Sequence, residues 1–311
     1  MNITIKSSEL QQYNPNIHEL LNRFIQYVDV SKTTTRSYIS GIRIFLQYLS
    51  NNGINTPTHD TVLLFKKHLS ENKKTGTIAT YLSALRRFFA WTESEGLYPN
   101  ITSGIKSPRI DAGHKKDCFT AHQLKSIISG INRDNLKGAR DYAIFCLISA
   151  TGLRTVEVMR ADISDIRNIG GEDCLFIQGK GRTSKCDFVK LSAHVLQAIN
   201  AYLKMRKNTA ENSPLFASIS HRNAGGRMTT RSISRICKSA MINAGYISKR
   251  WTAHSLRHSA ITLALIAGIS IQEVSQFARH SNISVTMIYA HDVERLKSKC
   301  ESTISNMLFG E

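Results

Sequence analysis

Acidic side chains are in short supply: 23 Asp and Glu stand against 41 Lys and Arg in 311 residues, a formal net charge of +18 with a pI near 9.8. That imbalance points to a polyanionic partner, because the field of an excess of fixed cations speeds encounter with DNA or RNA. Long apolar runs are also missing, and none approaches the roughly 20 residues that span a bilayer. No membrane role is therefore expected. The opening Met1-Asn-Ile-Thr-Ile-Lys6 lacks the hydrophobic core of a signal peptide, and a cytoplasmic location is the expectation. Cysteine is sparse and scattered. Cys118, Cys146, Cys174, Cys186, Cys237 and Cys300 form no C-x-x-C pair and have no histidine nearby at metal-ligand spacing. This argues against a disulfide framework or a zinc site, and neither metal nor other cofactor is expected.

What is present is enough chain for two domains. Residues 1–107 carry 12 basic and 7 acidic side chains, and residues 108–311 carry 29 and 16, so both parts are basic and the second more so. Apolar residues recur at helical spacing over Ile17–Val28, Thr33–Ser50, His59–Glu71 and Thr77–Ser94. Four helices with short polar joints make an all-helical first domain over 1–107. Residues 108–117 combine Pro, Gly and charge without apolar periodicity and read as a basic linker. Such a linker would let two domains grip opposite sides of a duplex.

The remainder, 118–311, is mixed. Thr120-Ala-His-Gln123 opens a helix in capping-box style, and Leu136–Ala150 is apolar enough to sit at the centre of a second core. Cys174–Gln178 and Asp187–Leu191 read as a β-hairpin with a basic tip, joined by a third strand near Ile163–Ile166. Helices resume over Ser192–Lys207, Thr229–Ala244 and Ser255–Ala267, with shorter pieces following. The stretch from Val293 to Phe309 predicts a last helix edged by Leu296, Ile304, Met307 and Leu308.

Two helix starts in the first domain share a chemistry, Ser31-Lys32-Thr33-Thr-Thr35-Arg36 and Lys73-Lys74-Thr75-Gly-Thr77. Hydroxyls cap helices, and a helix N-terminus beside Lys or Arg receives phosphate. Plain caps with solvated charges explain either one alone. With Arg43, Arg86 and Arg87 on the same helices, a DNA-facing surface is the preferred reading.

The candidate chemistry lies in the second domain. In Thr151-Gly152-Leu153-Arg154-Thr-Val-Glu157 the glycine turns the chain after a buried helix, so that Arg154 emerges with Glu157 one turn on. The pair suits bidentate phosphate binding, and equally an ordinary surface ion pair. Lys180, between two glycines at the hairpin tip, is a candidate proton donor, with Lys185 on the same turn as a competitor and a candidate DNA contact. His254 and Arg257, three apart, project to one side of a helix toward neighbouring oxygens of one phosphate. His258 beside them reads equally as a packed core residue. His280-Ser281 introduces a short helix that ends near Tyr289, a position where tyrosine usually just packs.

In this order, Thr-Gly-Leu-Arg154-x-x-Glu157, Gly-Lys180-Gly, His254-x-Leu-Arg257-His258 and Arg279-His280-Ser281 followed by Tyr289, these stretches resemble the tyrosine recombinase family, the phage integrases and Xer-type recombinases. The resemblance implies a mainly α protein with a small β-hairpin or three-stranded sheet: a helical, SAM-like core-binding domain followed by a mixed α/β catalytic domain with a C-terminal tail helix. It implies a site-specific recombinase that cleaves and rejoins double-stranded DNA through a 3′-phosphotyrosine. Tyr289 would be the nucleophile, Arg154 and Arg257 the phosphate ligands, and Lys180 the general acid toward the 5′ oxygen. His254 and His280 would assist on the phosphate, with Glu157 ordering the site. It further implies a tetramer on two DNA sites, the tail docking on a neighbouring protomer. In one departure, the family's usual Leu-Gly before the second histidine reads Ala278-Arg279 here, and Arg279 becomes a candidate DNA contact.

Fixed arginines aimed at a pentavalent phosphorus stabilise its extra negative charge as a metal does elsewhere. The bond energy kept in a phosphotyrosine permits rejoining by a free 5′ hydroxyl without ATP. The competing readings are an inert DNA-binding accessory protein, which has no need of Tyr289, and a DNA-relaxing enzyme of the type IB topoisomerase kind, which has no need of an exchanged tail.

Overall fold

The computed structural model describes residues 17–109, 117–179, 182–207 and 209–310. Contacts divide it into two compact units that part between Asp111 and Ala112. The proposed linker therefore lies largely outside the described residues, as does Lys180. Among the described residues no helix is long and apolar enough to cross a membrane.

The first unit consists of α1 (Ile17–Tyr27), α2 (Lys32–Asn51), α3 (His59–Asn72) and α4 (Thr75–Ser94). Each predicted helix is present, with ends moved by one or two residues where caps decide them. Ser31 starts α2 by accepting from the Thr34 N–H at 3.2 Å, and a reciprocal Thr58–Thr61 box starts α3. The apolar stripes meet in an aromatic core in which Phe45 stands edge-on to Phe65 at 5.0 Å and to Phe89 at 5.9 Å. Helices α2 and α4 pack closely because Gly41 has no side chain: a Cβ there would sit 3.1 Å from the Tyr81 Cα. The Tyr98 hydroxyl donates to the Pro57 carbonyl at 2.6 Å and ties the end of the unit to its middle.

In the second unit, α5 (Ala121–Ser129) precedes α6 (Leu136–Thr151), whose Ala143 to Ile148 are all buried. A helix apolar on every side belongs in the middle of a core, and α8 (Ala193–Met205) and α10 (Ala253–Ile266) pack on it. Short α7 (Thr155–Arg160) leads to an antiparallel sheet of β1 (Ile166–Ile169), β2 (Glu172–Ile177) and β3 (Asp187–Lys190), paired in that order. Register sets Ile166 opposite Leu175, and Leu175 opposite Val189. The third strand starts later than expected. Residues 163–165 form a 3-10 turn, because the Asp165 carboxylate accepts the Asp162 N–H at 2.7 Å and winds the chain before it can extend.

After α9 (Thr230–Asn243) and α10 come α11 (Ile271–Ala278), α12 (Ser284–Lys297) and α13 (Cys300–Phe309). These last segments correct two expectations. Tyr289 lies inside α12, not at a helix end, because α12 continues to Lys297. The tail is not one helix from Val293 to Phe309: Ser298 is extended, its hydroxyl accepts the Cys300 N–H at 3.4 Å, and a new helix starts there. A small separate core of Ile261, Leu265, Val274, Ala278, Tyr289, Ala290 and Val293 joins α10, α11 and α12.

The two tryptophans report on different units, Trp91 on the first and Trp251 on the second. Phe45→Ala, made in a Trp251→Phe background, should lower the stability read from Trp91 fluorescence in denaturant by about 3–5 kcal/mol, the usual cost of emptying a buried phenylalanine site. A loss below about 1 kcal/mol would contradict the aromatic core described above.

Candidate active site

Two left-handed turns create the site. α6 ends at Gly152, whose φ of 61° lets the chain reverse at once, and Leu153 plugs the core while Arg154 becomes the N-cap of α7. A Cβ at Gly152 would meet the Phe277 ring at 3.4 Å, so the turn is pressed against the end of α11. The second turn is at Arg279, the one non-glycine with positive φ among the described residues, at 54°. A side chain in this region costs about 1–2 kcal/mol, so the surroundings must hold it there.

Between the turns sits the Glu157 carboxylate, fully buried. One oxygen accepts the Arg154 guanidinium at 2.9 Å, and the other accepts the Arg154 backbone N–H at 2.7 Å and Arg279 Nη2 at 3.3 Å. Arg257, also buried, donates Nη1 to the Gly152 carbonyl at 2.6 Å and Nη2 to the Ala278 carbonyl. Two guanidinium groups thus bind one carboxylate, and a third lies close enough to feel its charge. Burial, then the neighbouring charges of Arg154 and Arg279, lower the Arg257 pKa to about 10, with Glu157 opposing.

Tyr289 projects from α12 into this assembly. Its ring lies 5.1 Å from the His258 ring and 6.2 Å from that of His280, and His258 in turn meets His254 edge-on at 4.6 Å. The His280 Nδ1 is 2.8 Å from the buried Thr286 hydroxyl, one turn before Tyr289. Burial pushes the Tyr289 phenol up to about 12, against the opposing pull of Arg257 and Arg154. At neutral pH the phenol therefore keeps its proton until something takes it.

Arg154, Glu157, His254, Arg257, Arg279, His280 and Tyr289 all line one cleft of about 720 Å³. Gly179 and Arg182, which flank the undescribed Lys180, line it too. Five of the six catalytic candidates, together with the supporting Glu157, are thus brought together from the start of α7, from α10, from the turn after α11 and from α12. Among the described residues, no three of His, Cys, Asp and Glu group so as to hold a metal ion.

The candidate DNA contacts divide. Thr33, Arg36 and Thr77 line a shallow groove of about 450 Å³ shared by α2 and α4, with Ser37, Ser40 and Thr80. Lys32, Arg43 and Lys74 are exposed nearby in sequence, while the Thr35 hydroxyl is taken up by the Ser31 carbonyl at 3.2 Å. Arg87 lies 5.7 Å over the Tyr27 ring. Three candidates are turned inward. Arg86 donates to the Ile105 carbonyl at 2.7 Å and to the Ser107 hydroxyl at 3.0 Å, anchoring the end of the unit. Lys185 is held by Asp162 at 2.7 Å and by Asp165. Burial alone would lower its pKa, but those two hydrogen-bonded carboxylates raise it overall, so this cation is matched within the protein. Arg279 is the third, with its charge directed at Glu157.

Sequence reasoning overlooked a second groove, of about 910 Å³, that shares Arg154, His254 and Arg257 with the first and adds Arg231, Arg235, Lys238 and Lys249. Arg231, Arg235 and Lys238 sit at i, i+4 and i+7 of α9, a basic helical face that periodicity alone could have found.

Comparison with known proteins follows from this geometry. The model of the phage integrase family matches residues 117–295, and that of the phage integrase N-terminal SAM-like domain matches residues 19–96. A curated tyrosine recombinase XerD from Lacticaseibacillus casei is 28% identical over 282 residues, covering 88% of this chain and 94% of its own. A tyrosine recombinase XerC from Haemophilus influenzae is 28% identical over 281 residues, covering 87% and 92%. In fold, the chain is similar to the XerH site-specific recombinase bound to a palindromic difH substrate, with TM-score 0.72, 20% identity and coverage of 98% and 90%. It is also similar to the Tn1549 transposon integrase in complex with transposon right-end DNA, with TM-score 0.65, 18% identity and coverage of 91% and 98%.

The raised phenol can be checked by phenolate absorbance, taken as the difference between the protein and Tyr289→Phe. The difference should stay small at about pH 10, where an ordinary tyrosine is half ionised. Half ionisation of Tyr289 at that pH would mean that the ring is not buried as described.

Proposed function

We propose that this chain, which belongs to the phage integrase family, uses the cleft around Tyr289 to break and rejoin DNA strands, with each clustered side chain in a distinct role. The chain is a tyrosine site-specific recombinase, and double-stranded DNA is its substrate. The observation that carries the assignment of roles is the convergence of Tyr289 with Arg154 and Arg257 on one cleft, although 135 residues of chain separate the first from the last.

A phosphodiester seated there brings its non-bridging oxygens to Arg154 and Arg257. Neither cation is spent by its protein contacts, since a guanidinium has five N–H donors and Arg257 uses two of its nitrogens on carbonyls. Tyr289 Oη attacks phosphorus as its phenol proton passes to the neighbouring histidines of the cleft, His254 and His280. As the Tyr–O–P bond forms, the bond from phosphorus to the 5′ oxygen breaks and that oxygen receives a proton. The 3′ end stays on the tyrosine. Arginines already in position need no reorganisation as charge builds on the phosphorane, which is where preorganised sites obtain their rate. His254 and His280 hydrogen-bond the phosphate or relay protons, and Glu157 orders the arginines. The family resemblance supplies Lys180 as the acid at the 5′ oxygen. In the reverse step a free 5′ hydroxyl, from the same or another duplex, attacks the phosphotyrosine and restores the phosphodiester.

The biological role favoured here is that of a mobile-element integrase or a Xer-like resolvase, acting as a tetramer on two sites. The tail supports assembly. On α13, Ile304, Met307, Leu308 and Phe309 are all more than half exposed, and no residue of that helix is buried. An apolar edge left open in the single chain suits a pocket on a neighbouring copy of the same chain. The grooves on α2 and α4 and along α9 carry the cations for backbone contacts, which hold register without reading sequence. The linker over 108–117 would connect the core-binding region of 1–107 with the catalytic region of 118–311.

Sequencing genomic fragments retained by the protein identifies a site. A duplex carrying that site with a nick near the cleavage position should then give a covalent protein–DNA adduct on a denaturing gel. Tyr289→Phe should give none. Arg154→Ala should slow adduct formation by about 100-fold or more, with most DNA affinity kept by the remaining phosphate contacts. An adduct that persists in Tyr289→Phe removes this tyrosine as the nucleophile. Removing residues 300–311 should leave adduct formation on one site within about threefold while suppressing joint products and higher-order complexes, as expected for loss of an intersubunit anchor. Unchanged recombination by the truncated chain would reject the tail's proposed role.

A further inference from the structure

One guanidinium in the cleft has no part in the scheme above, and its placement is unusual. Arg279 occupies a left-handed backbone position that favours glycine, yet its side chain folds back into the protein instead of reaching outward. Nη1 donates to the Phe277 carbonyl at 2.7 Å, closing the turn on itself. Nη2 is shared between Glu157 Oε2 at 3.3 Å and the Gly152 carbonyl at 3.4 Å. Those two acceptors also orient the phosphate ligands. Glu157 holds Arg154 through the backbone N–H and the guanidinium, and the Gly152 carbonyl holds Arg257. The same turn supplies the Ala278 carbonyl to the other end of Arg257.

We propose that Arg279 is a positioning residue, the cross-link that holds Arg154 and Arg257 in one geometry by bridging the Glu157 carboxylate and the Gly152 carbonyl. Without it, each phosphate ligand keeps its own acceptor, and the backbone from Gly152 to Glu157 still connects them, but the side-chain bridge that fixes the two acceptors against the turn after α11 is lost. The Arg279 side chain spans from the turn before His280 and the Tyr289 helix to the turn that ends α6, so it also registers the nucleophile's segment against the phosphate ligands. The burial of its guanidinium lowers its pKa while Glu157 acts in the opposite sense. Its Nε is buried and has no acceptor among the described residues. A residue placed only to contact DNA would face outward and need no left-handed turn.

This inference rests on the recombinase reading, and wild-type adduct formation on the nicked duplex is the control that separates the two. Absence of adduct from the wild type counts against that reading and not against Arg279. With that control positive, single-turnover adduct formation is measured at saturating protein for Arg279→Met, Arg279→Lys, Glu157→Gln and the Arg279→Met/Glu157→Gln pair. Arg279→Met should slow the reaction by about 10- to 100-fold, the effect of loosening reacting groups by a fraction of an ångström, with DNA affinity changed less than about twofold. Lysine should recover part of the rate. Because the action runs through Glu157, Arg279→Met should cost less than about twofold in the Glu157→Gln background. An unchanged rate in Arg279→Met, or penalties that simply multiply in the pair, would overturn the proposal. Should Arg279→Met fail to fold, Arg279→Gly relieves the left-handed turn while removing the guanidinium. A folded glycine variant with wild-type cleavage rejects the cross-link, and one with the same rate loss supports it.

Discussion

A single buried carboxylate, that of Glu157, sets the order of the catalytic unit. An ionised carboxylate removed from water costs several kcal/mol unless cations and N–H donors replace its hydration. Here they are the Arg154 guanidinium and N–H on one side and Arg279 on the other. The reverse also holds: three guanidinium groups this close repel one another, and the carboxylate makes their approach tolerable. A surplus of positive charge remains in the cleft, and a phosphodiester is the anion that such a surplus suits.

The core is arranged to keep this cluster rigid while leaving Tyr289, the proposed nucleophile, on a lighter footing. Helix α6 is buried on every side, and α10 packs on it. Leu256 belongs to that main core, whereas Ile261 and Leu265, one and two turns later, belong to the small core that holds Tyr289. Arg257 sits where the two cores join, so the arginines proposed to bind phosphate inherit the stiffness of the large core. The tyrosine helix depends on a handful of apolar contacts and on the His280–Thr286 bond. Small apolar clusters open at lower cost than the central core.

Much of this was legible before any coordinates. Helical periodicity located α1 to α4 to within two residues, and the capping box at Thr120 formed as its chemistry predicts. Gly152 was readable as a turn because only a short, unhindered backbone can end a buried helix and start another two residues on. What spacing leaves open is the direction of a side chain. Arg86, Lys185 and Arg279 were read as candidate DNA contacts because they are basic, and each also finds acceptors on the protein: a carbonyl 19 residues away, an aspartate 23 residues away and a glutamate 122 residues away. Charge is a property of the residue, whereas the direction in which it is used depends on contacts that spacing along the chain does not encode. The α9 face was missed for the opposite reason. Its arginines and lysine were visible at helical spacing, but their importance comes from lying beside Arg154 and Arg257.

Local chemistry by itself determined the helices, the reversal at Gly152 and the excess of cations, because propensity, capping and charge act over a few residues. Tertiary structure decided which cations meet one another, which face the solvent, and that a tyrosine with a strongly raised pKa lies within reach of two arginines. Burial and the mutual distance of charged groups are properties of the folded chain, and these two quantities turn an ordinary arginine or phenol into a working one.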